Sequence, residues 1–156
     1  MGFKFTEENI KRIEKSKKKY PTSKAAVMDV LYIAQEQNGF ISQEVIDEVA
    51  SYLKLDPVDV LGVVSFYLMY HKKPVGKFHI QVCTNVSCML RGAYDILEEV
   101  AHKLGIEENE VTSNGKFSIE EVECMGACGG APMFAINEDY YENLTKEKVN
   151  KILDSL

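Results

Sequence analysis

Apolar residues recur at spacings of three and four through the first half of the chain. In the second half several runs alternate instead, so the sequence reads as helical first and strand-bearing later. Thr6 can cap a first helix, with Ile10 and Ile13 on its apolar side and a stop before Pro21. Thr22 or Ser23 opens a second, whose stripe is Ala26, Val27, Val30, Leu31 and Ala34, and Gly39 can close it. Ser42 starts a third, bearing Val45, Ile46, Val49, Ala50 and Leu53. The fourth begins in "DPVDV", with Asp56 at the N-cap, Pro57 in the first turn and Asp59 behind it. It is predicted to run through Val60, Val63, Val64, Phe66 and Tyr67 to about Tyr70. Short connections make these helices packing neighbours, and their stripes predict core rather than a ligand site.

The character changes at "KKPVGK", residues 72–77, the predicted linker. "KFHIQVC" reads as a strand in which Phe78, Ile80 and Val82 alternate with His79 and Gln81. "RGAYDILEEVAHKLGI" reads as a helix that turns Ala93, Ile96, Leu97, Val100 and Leu104 inward and stops at Gly105. "KFSIEEVEC" is a second strand with its alternation broken by two glutamates, and "PMFAIN" a third, apolar enough to be central. "ED" turns into a short partner strand, "YYEN", and Thr145 caps a last helix with Val149, Ile152, Leu153 and Leu156. The order β-α-β-β-β-α implies an open sheet covered by helices. The expected fold class is α+β or α/β: a four-helix bundle over residues 1–75, then a domain with a small mixed sheet over 76–156.

Composition narrows the function. At 46% hydrophobic residues, the 156-residue chain has the material for a packed core. A net charge of −6 argues against nucleic acid, which asks for a basic face. The one basic run, "KRIEKSKKKYP", reads as a solvated helix face. No run of 18 apolar residues predicts a membrane span, and the N-terminus lacks the apolar core of a secretory signal. "MGFKFT" fits the loose myristoylation pattern but reads as an ordinary start. The expected location is therefore the cytoplasm.

The four cysteines fall in two pairs, Cys83 and Cys88 in "QVCTNVSCML" and Cys124 and Cys128 in "VECMGACGGAP". Each pair follows a predicted strand, the usual place for ligand loops in open sheets. All four are expected in polar, turn-rich loops, which weighs against free core cysteines. A reducing compartment weighs against disulfides. Zinc held by four thiolates is chemically sound, but these spacings are uncharacteristic of it. A [2Fe–2S] cluster suits two pairs at longer spacing, since each iron takes two thiolates. Gly126, Gly129 and Gly130 can bend the backbone so that N–H groups face sulfur, and Thr84, Asn85 and Ser87 are expected to offer the same from the first pair. The residues thus favour the cluster and leave a zinc-stapled interaction module as the rival.

"VCTNVSCMLRGAYDIL", "VECMGACGGAPMFAIN" and "YYENLTKEKVNKIL" closely resemble the thioredoxin-like [2Fe–2S] subunit of respiratory complex I. "YPTSKAAVMDVLYIAQEQNGFIS" and "VVSFYLMY" resemble that family's helical N-terminal part, so the likeness spans roughly residues 10 to 155. The resemblance implies a thioredoxin-like C-terminal domain, with Cys83 and Cys88 on one iron and Cys124 and Cys128 on the other. It implies electron transfer beside an FMN-bearing, NADH-oxidising partner subunit. FMN and NADH would then sit on the partner, and a complex I subunit would lie peripheral to the membrane on its cytoplasmic side. Related subunits serve NAD-linked hydrogenases, including bifurcating ones, and formate dehydrogenases; "GGAPMF" and "CMLRGAYDIL" look more like complex I.

His79 and His102 invite a Rieske reading, but four cysteines already complete a ligand set, so both are expected to be structural or solvent-facing. His71 falls in the linker. The chain has no P-loop and no G-x-G-x-x-G after a strand, so no nucleotide or flavin site of its own is expected. It also lacks the C-x-x-C of dithiol enzymes and a catalytic acid or base, so it is expected to work as a subunit of an oxidoreductase. Pro132, between the second pair and a central strand, is a candidate cis-proline that shapes the loop.

Overall fold

The computed structural model of the protein describes residues 2–156. The chain divides into two compact units between Pro74 and Val75.

The first unit is helical: α1 (Glu7–Lys17), a 3-10 turn (Lys24–Ala26), α2 (Val27–Asn38), α3 (Gln43–Leu53) and α4 (Pro57–Phe66). Three N-caps are made by the expected side chains. Thr6 Oγ1 accepts from Asn9 N–H at 3.2 Å, Ser42 Oγ from Val45 N–H at 3.3 Å and Asp56 Oδ1 from Val58 N–H at 3.0 Å. Each satisfies a donor the helix cannot pair internally and contributes about 1 kcal/mol. Gly39, at φ 84°, ends α2 in the left-handed region. The core joins Ile13 to Val30, Leu31 and Ala34 of α2, Val45, Val49 and Leu53 of α3, and Val60 and Val64 of α4. Full burial of each larger aliphatic side chain stabilises by about 1.5–3 kcal/mol.

Two expectations fail here. Ser23 opens the 3-10 turn, and α2 itself starts only at Val27. The fourth helix stops at Phe66 rather than near Tyr70. Phe66 is 77% exposed, while Tyr70 swings inward to 1% exposure and donates its hydroxyl to the Met28 carbonyl at 3.1 Å. Burying Tyr70 requires the chain to leave the helical path, which ends the helix. α4 carries apolar residues on its exposed side (Val58, Leu61) as well as its buried one (Val60, Val64), so its pattern says little about which face turns inward.

The second unit carries β1 (Phe78–Cys83), α5 (Val86–Met89), α6 (Ala93–Leu104), β2 (Phe117–Val122), β3 (Phe134–Ile136), β4 (Asp139–Tyr141) and α7 (Lys146–Ser155). The sheet order is β2-β1-β3-β4. β1 and β2 run parallel, and the remaining neighbours are antiparallel. A parallel neighbour needs a crossover, which α6 supplies. Ile80, Val82, Ile119, Phe134 and Ile136 meet Ile96 and Val100 of α6 and Val149 and Leu153 of α7. Thr145 caps α7 as expected, and Gly105 closes α6 at φ 65°.

The short helix α5 replaces what reads as loop. β1 does not alternate between buried and exposed: His79 is only 5% exposed. It sits on β1 in a polar cluster, with Nδ1 2.8 Å from Ser118 Oγ and Nε2 3.0 Å from Glu120 Oε2. The last hairpin turns at Asn137 and Glu138, one residue before the expected "ED", because Ile136 pairs with Asp139 and Asn137 takes φ 56°.

Candidate metal centre

Parallel pairing sets the geometry. β1 and β2 are adjacent and point the same way, with Cys83 opposite Val122. Their carboxyl ends therefore lie together, and each leads into one cysteine pair. Thr84 N–H donates to the Val122 carbonyl at 3.1 Å, and Thr84 Oγ1 to Glu121 Oε1 at 2.6 Å, which ties the two exits to each other.

The expectation of four cysteines in polar loops is half wrong. Cys83 is the last residue of β1 and Cys88 lies on α5, and both are buried. They pack with Ala93, Val122, Ala131 and Met133, and Met125 and Ala127 of the second loop lie against the same cluster. Cys124 and Cys128 are exposed, and no disulfide joins any of the four. For Cys83 the reason is topological: a strand that ends inside a covered sheet buries its last side chain, whatever the polarity of the residues after it.

Burial pushes the Cys88 thiol up to about 11, and a hydrogen bond with Cys83 and the Cys83 charge add to it. The Met133 N–H offsets part of this, and the charge of Cys128 raises it further. The buried pair thus feels a member of the exposed pair. Two neighbouring thiolates in a buried setting repel, and a cation held between them removes that cost. The donor set fits a thiolate-bound metal group on this ground. Among the described residues, no three His, Cys, Asp or Glu side chains form a single-ion cage.

The loop donors differ from expectation. Gly126, at φ 75°, turns its N–H back onto Cys124 Sγ at 3.4 Å. Thr84 N–H is taken by Val122, the Asn85 side chain caps α5, and Gly130 N–H goes to the Ala127 carbonyl. Met133, missed in the sequence, supplies the N–H to the buried pair; nothing in "APMF" marks it. Cys83 Sγ donates weakly to the Glu123 carbonyl at 3.8 Å. The Ala131–Pro132 bond is cis, as expected.

Residues of β4 and just beyond brace the second loop. Tyr140 Oη donates to the Met125 carbonyl at 3.0 Å, Asn143 N–H to the Gly130 carbonyl at 2.6 Å and Leu144 N–H to the Pro132 carbonyl at 3.0 Å. The sequence signals this role only through "YYENL" as part of a resemblance. His102 is exposed on α6, and the His71 backbone pairs with Gln35 Oε1 and Ile41 N–H.

A family model described as thioredoxin-like [2Fe-2S] ferredoxin matches residues 13–156. An NADH-quinone oxidoreductase subunit of Rickettsia bellii (strain RML369-C) is 45% identical over 158 residues, covering 99% of this chain and 95% of the relative. The mitochondrial NADH dehydrogenase [ubiquinone] flavoprotein 2 of Dictyostelium discoideum is 41% identical over 157 residues, covering 99% of this chain and 64% of the longer relative. In a crystal structure of NAD+-reducing [NiFe]-hydrogenase in the H2-reduced state, the match reaches a TM-score of 0.67 at 16% identity. It covers 80% of this chain but only 21% of that polypeptide, and at such identity it shows the fold alone. With the cysteine-bearing strand ends and a match that runs from the first helix to the last, the chain belongs to the thioredoxin-like [2Fe–2S] ferredoxin family, whose cofactor is a [2Fe–2S] cluster.

Proposed function

We propose that this chain is the [2Fe–2S] electron-transfer subunit of an NADH:quinone oxidoreductase, with Cys83, Cys88, Cys124 and Cys128 as the iron ligands. The observation that carries this reading is the pair of adjacent parallel strand ends, each delivering two cysteines to one edge of the sheet. When bound, the cluster supplies one-electron chemistry and makes or breaks no substrate bond. The chain's residues do the rest. Cys83 and Cys88 offer thiolates screened from water by Ala93, Val122, Ala131 and Met133. Gly126 and Met133 supply N–H groups that favour negative sulfur. Tyr140 and Asn143 hold the outer loop in place.

Oxidation of NADH and the FMN that accepts its electrons belong to a partner flavoprotein subunit. This chain is a subunit of the oxidoreductase without a substrate site of its own. Residues 1–75 act as a four-helix bundle that docks, and 76–156 as the cluster domain. Exposed apolar residues Val58, Leu61, Phe66, Leu68 and Met69 support the docking role. The complex sits peripherally on the cytoplasmic side of a membrane. Among the described residues no helix is long and apolar enough to cross one. The same type of subunit in an NAD-linked hydrogenase is the second reading, supported by the fold shared with the hydrogenase.

Affinity capture of the tagged chain from its own cells tests the assignment. The expected result is co-purification of an FMN-bearing, NADH-oxidising subunit with quinone-reductase subunits. A double change, Phe66→Glu with Leu68→Glu, should cut that capture at least about tenfold, equivalent to ~1.4 kcal/mol, and leave bound iron unchanged. Co-purification with hydrogenase subunits moves the assignment to the second reading. Recovery of the chain alone as a free ferredoxin contradicts both.

A further inference from the structure

The segment that braces the outer cysteine loop also places a charge on it. Glu142 lies directly over Gly130: a β-carbon built on Gly130 would fall 2.6 Å from Glu142 Cβ and nearer still to its carboxylate. Gly130 closes the 3-10 turn that Cys128 opens. The next residue, Asn143, is bonded through its N–H to the Gly130 carbonyl, so the backbone that carries Glu142 is tied to the turn. Only a glycine leaves room for it there.

Among the described residues, the ion pairs within 4.0 Å do not include Glu142. The nearby Lys148 gives its Nζ to the Asn143 carbonyl at 2.9 Å. Arg91 also reaches the loop, through Nη1 to the Ala131 carbonyl at 3.4 Å. Reduction of a [2Fe–2S] centre adds one electron and one negative charge beside this turn. A carboxylate seated against the turn opposes that addition and favours the oxidised form.

We propose that Glu142 is a potential-setting residue, its carboxylate seated on the Cys128–Gly130 turn and biasing the centre toward its oxidised form. The proposal rests on the ligand assignment above and adds a residue outside the ligand set. Because Glu142 is solvent-exposed, its effect is screened by salt.

The test is a redox titration of the full-length, cluster-bearing protein with dithionite as the electron donor, followed by visible absorbance. The native chain is compared with Glu142→Gln, Glu142→Lys and Glu142→Asp. At a fixed ambient potential Gln should raise the reduced-to-oxidised ratio about threefold, or about 28 mV at 59 mV per tenfold for one electron. Lys should raise it about ninefold, the square of the Gln factor, while Asp should stay near the native ratio. The differences should shrink in about 1 M salt, where the Debye length is about 3 Å. Ratios that do not change with charge, or that shift alike in all three variants, overturn the proposal. A native protein with no visible chromophore overturns the ligand assignment itself, so the two failures are distinct.

Discussion

Cys88 shows what a single position can hide. Read in "TNVSCML" it is a loop cysteine among polar neighbours. In the fold it is 2% exposed, its thiol raised by burial and by Cys83. Gly76 is a second case, since nothing in "KKPVGKF" marks it as more than a linker residue. A β-carbon there would lie 2.8 Å from Phe117 Cα, against backbone that cannot swing away. Its N–H also donates to the buried Ser118 Oγ at 2.9 Å. Gly76→Ala should therefore destabilise the protein by about 1–3 kcal/mol, the usual cost of forcing extra volume into a packed site. Urea unfolding should show a lower midpoint with an unchanged slope. An unchanged midpoint would mean that the close approach to β2 carries no constraint.

At the scale of elements, the caps were legible because each is a local event: Thr6, Ser42, Asp56 and Thr145 bond within three residues of themselves. The end of α4 was not, because a distant contact, Tyr70 reaching the Met28 carbonyl, decides it. Strand order was legible only as a condition: if the two cysteine-bearing strands neighbour each other, the pairs meet. Pairing is long-range, and no local pattern encodes it. The join between α1 and α2 carries a prediction of its own. Asp29 accepts from Ser16 Oγ, from Tyr20 Oη at 3.1 Å and from Lys19 Nζ at 3.4 Å. The Ser16 hydrogen bond leads in holding its carboxyl below the usual range, against an opposing effect of burial. A depressed carboxyl stabilises the fold above its unfolded value, about 3.9, and that contribution is lost as pH falls through the folded value. Asp29→Asn should thus lower the thermal midpoint at neutral pH, and the gap to the native chain should close as pH falls through the lowered folded value. A gap that persists unchanged in acid would show that the carboxylate charge is not what joins the helices.

For the whole molecule, the chain forms two compact units with separate cores. One is helical; in the other, β1 and β2 end side by side and each leads into a cysteine pair. That division was visible as a change of periodicity near the linker, since helical stripes and alternating runs leave different marks on a sequence. The surroundings of the pairs were not, because Met133 and Tyr140 meet the loops through backbone bonds and Glu142 through its closeness to Gly130, none of which a motif marks. The central claim is that all four thiolates hold one two-iron core. Electron paramagnetic resonance of the dithionite-reduced protein, read beside its iron and acid-labile sulfide content, tests it most directly. The account predicts two irons and two sulfides per chain and a one-electron signal, all lost on Cys→Ala at any of positions 83, 88, 124 and 128 and all retained in His79→Ala. A colourless protein with one zinc and no sulfide, or a signal that survives loss of one of the four cysteines, would contradict it.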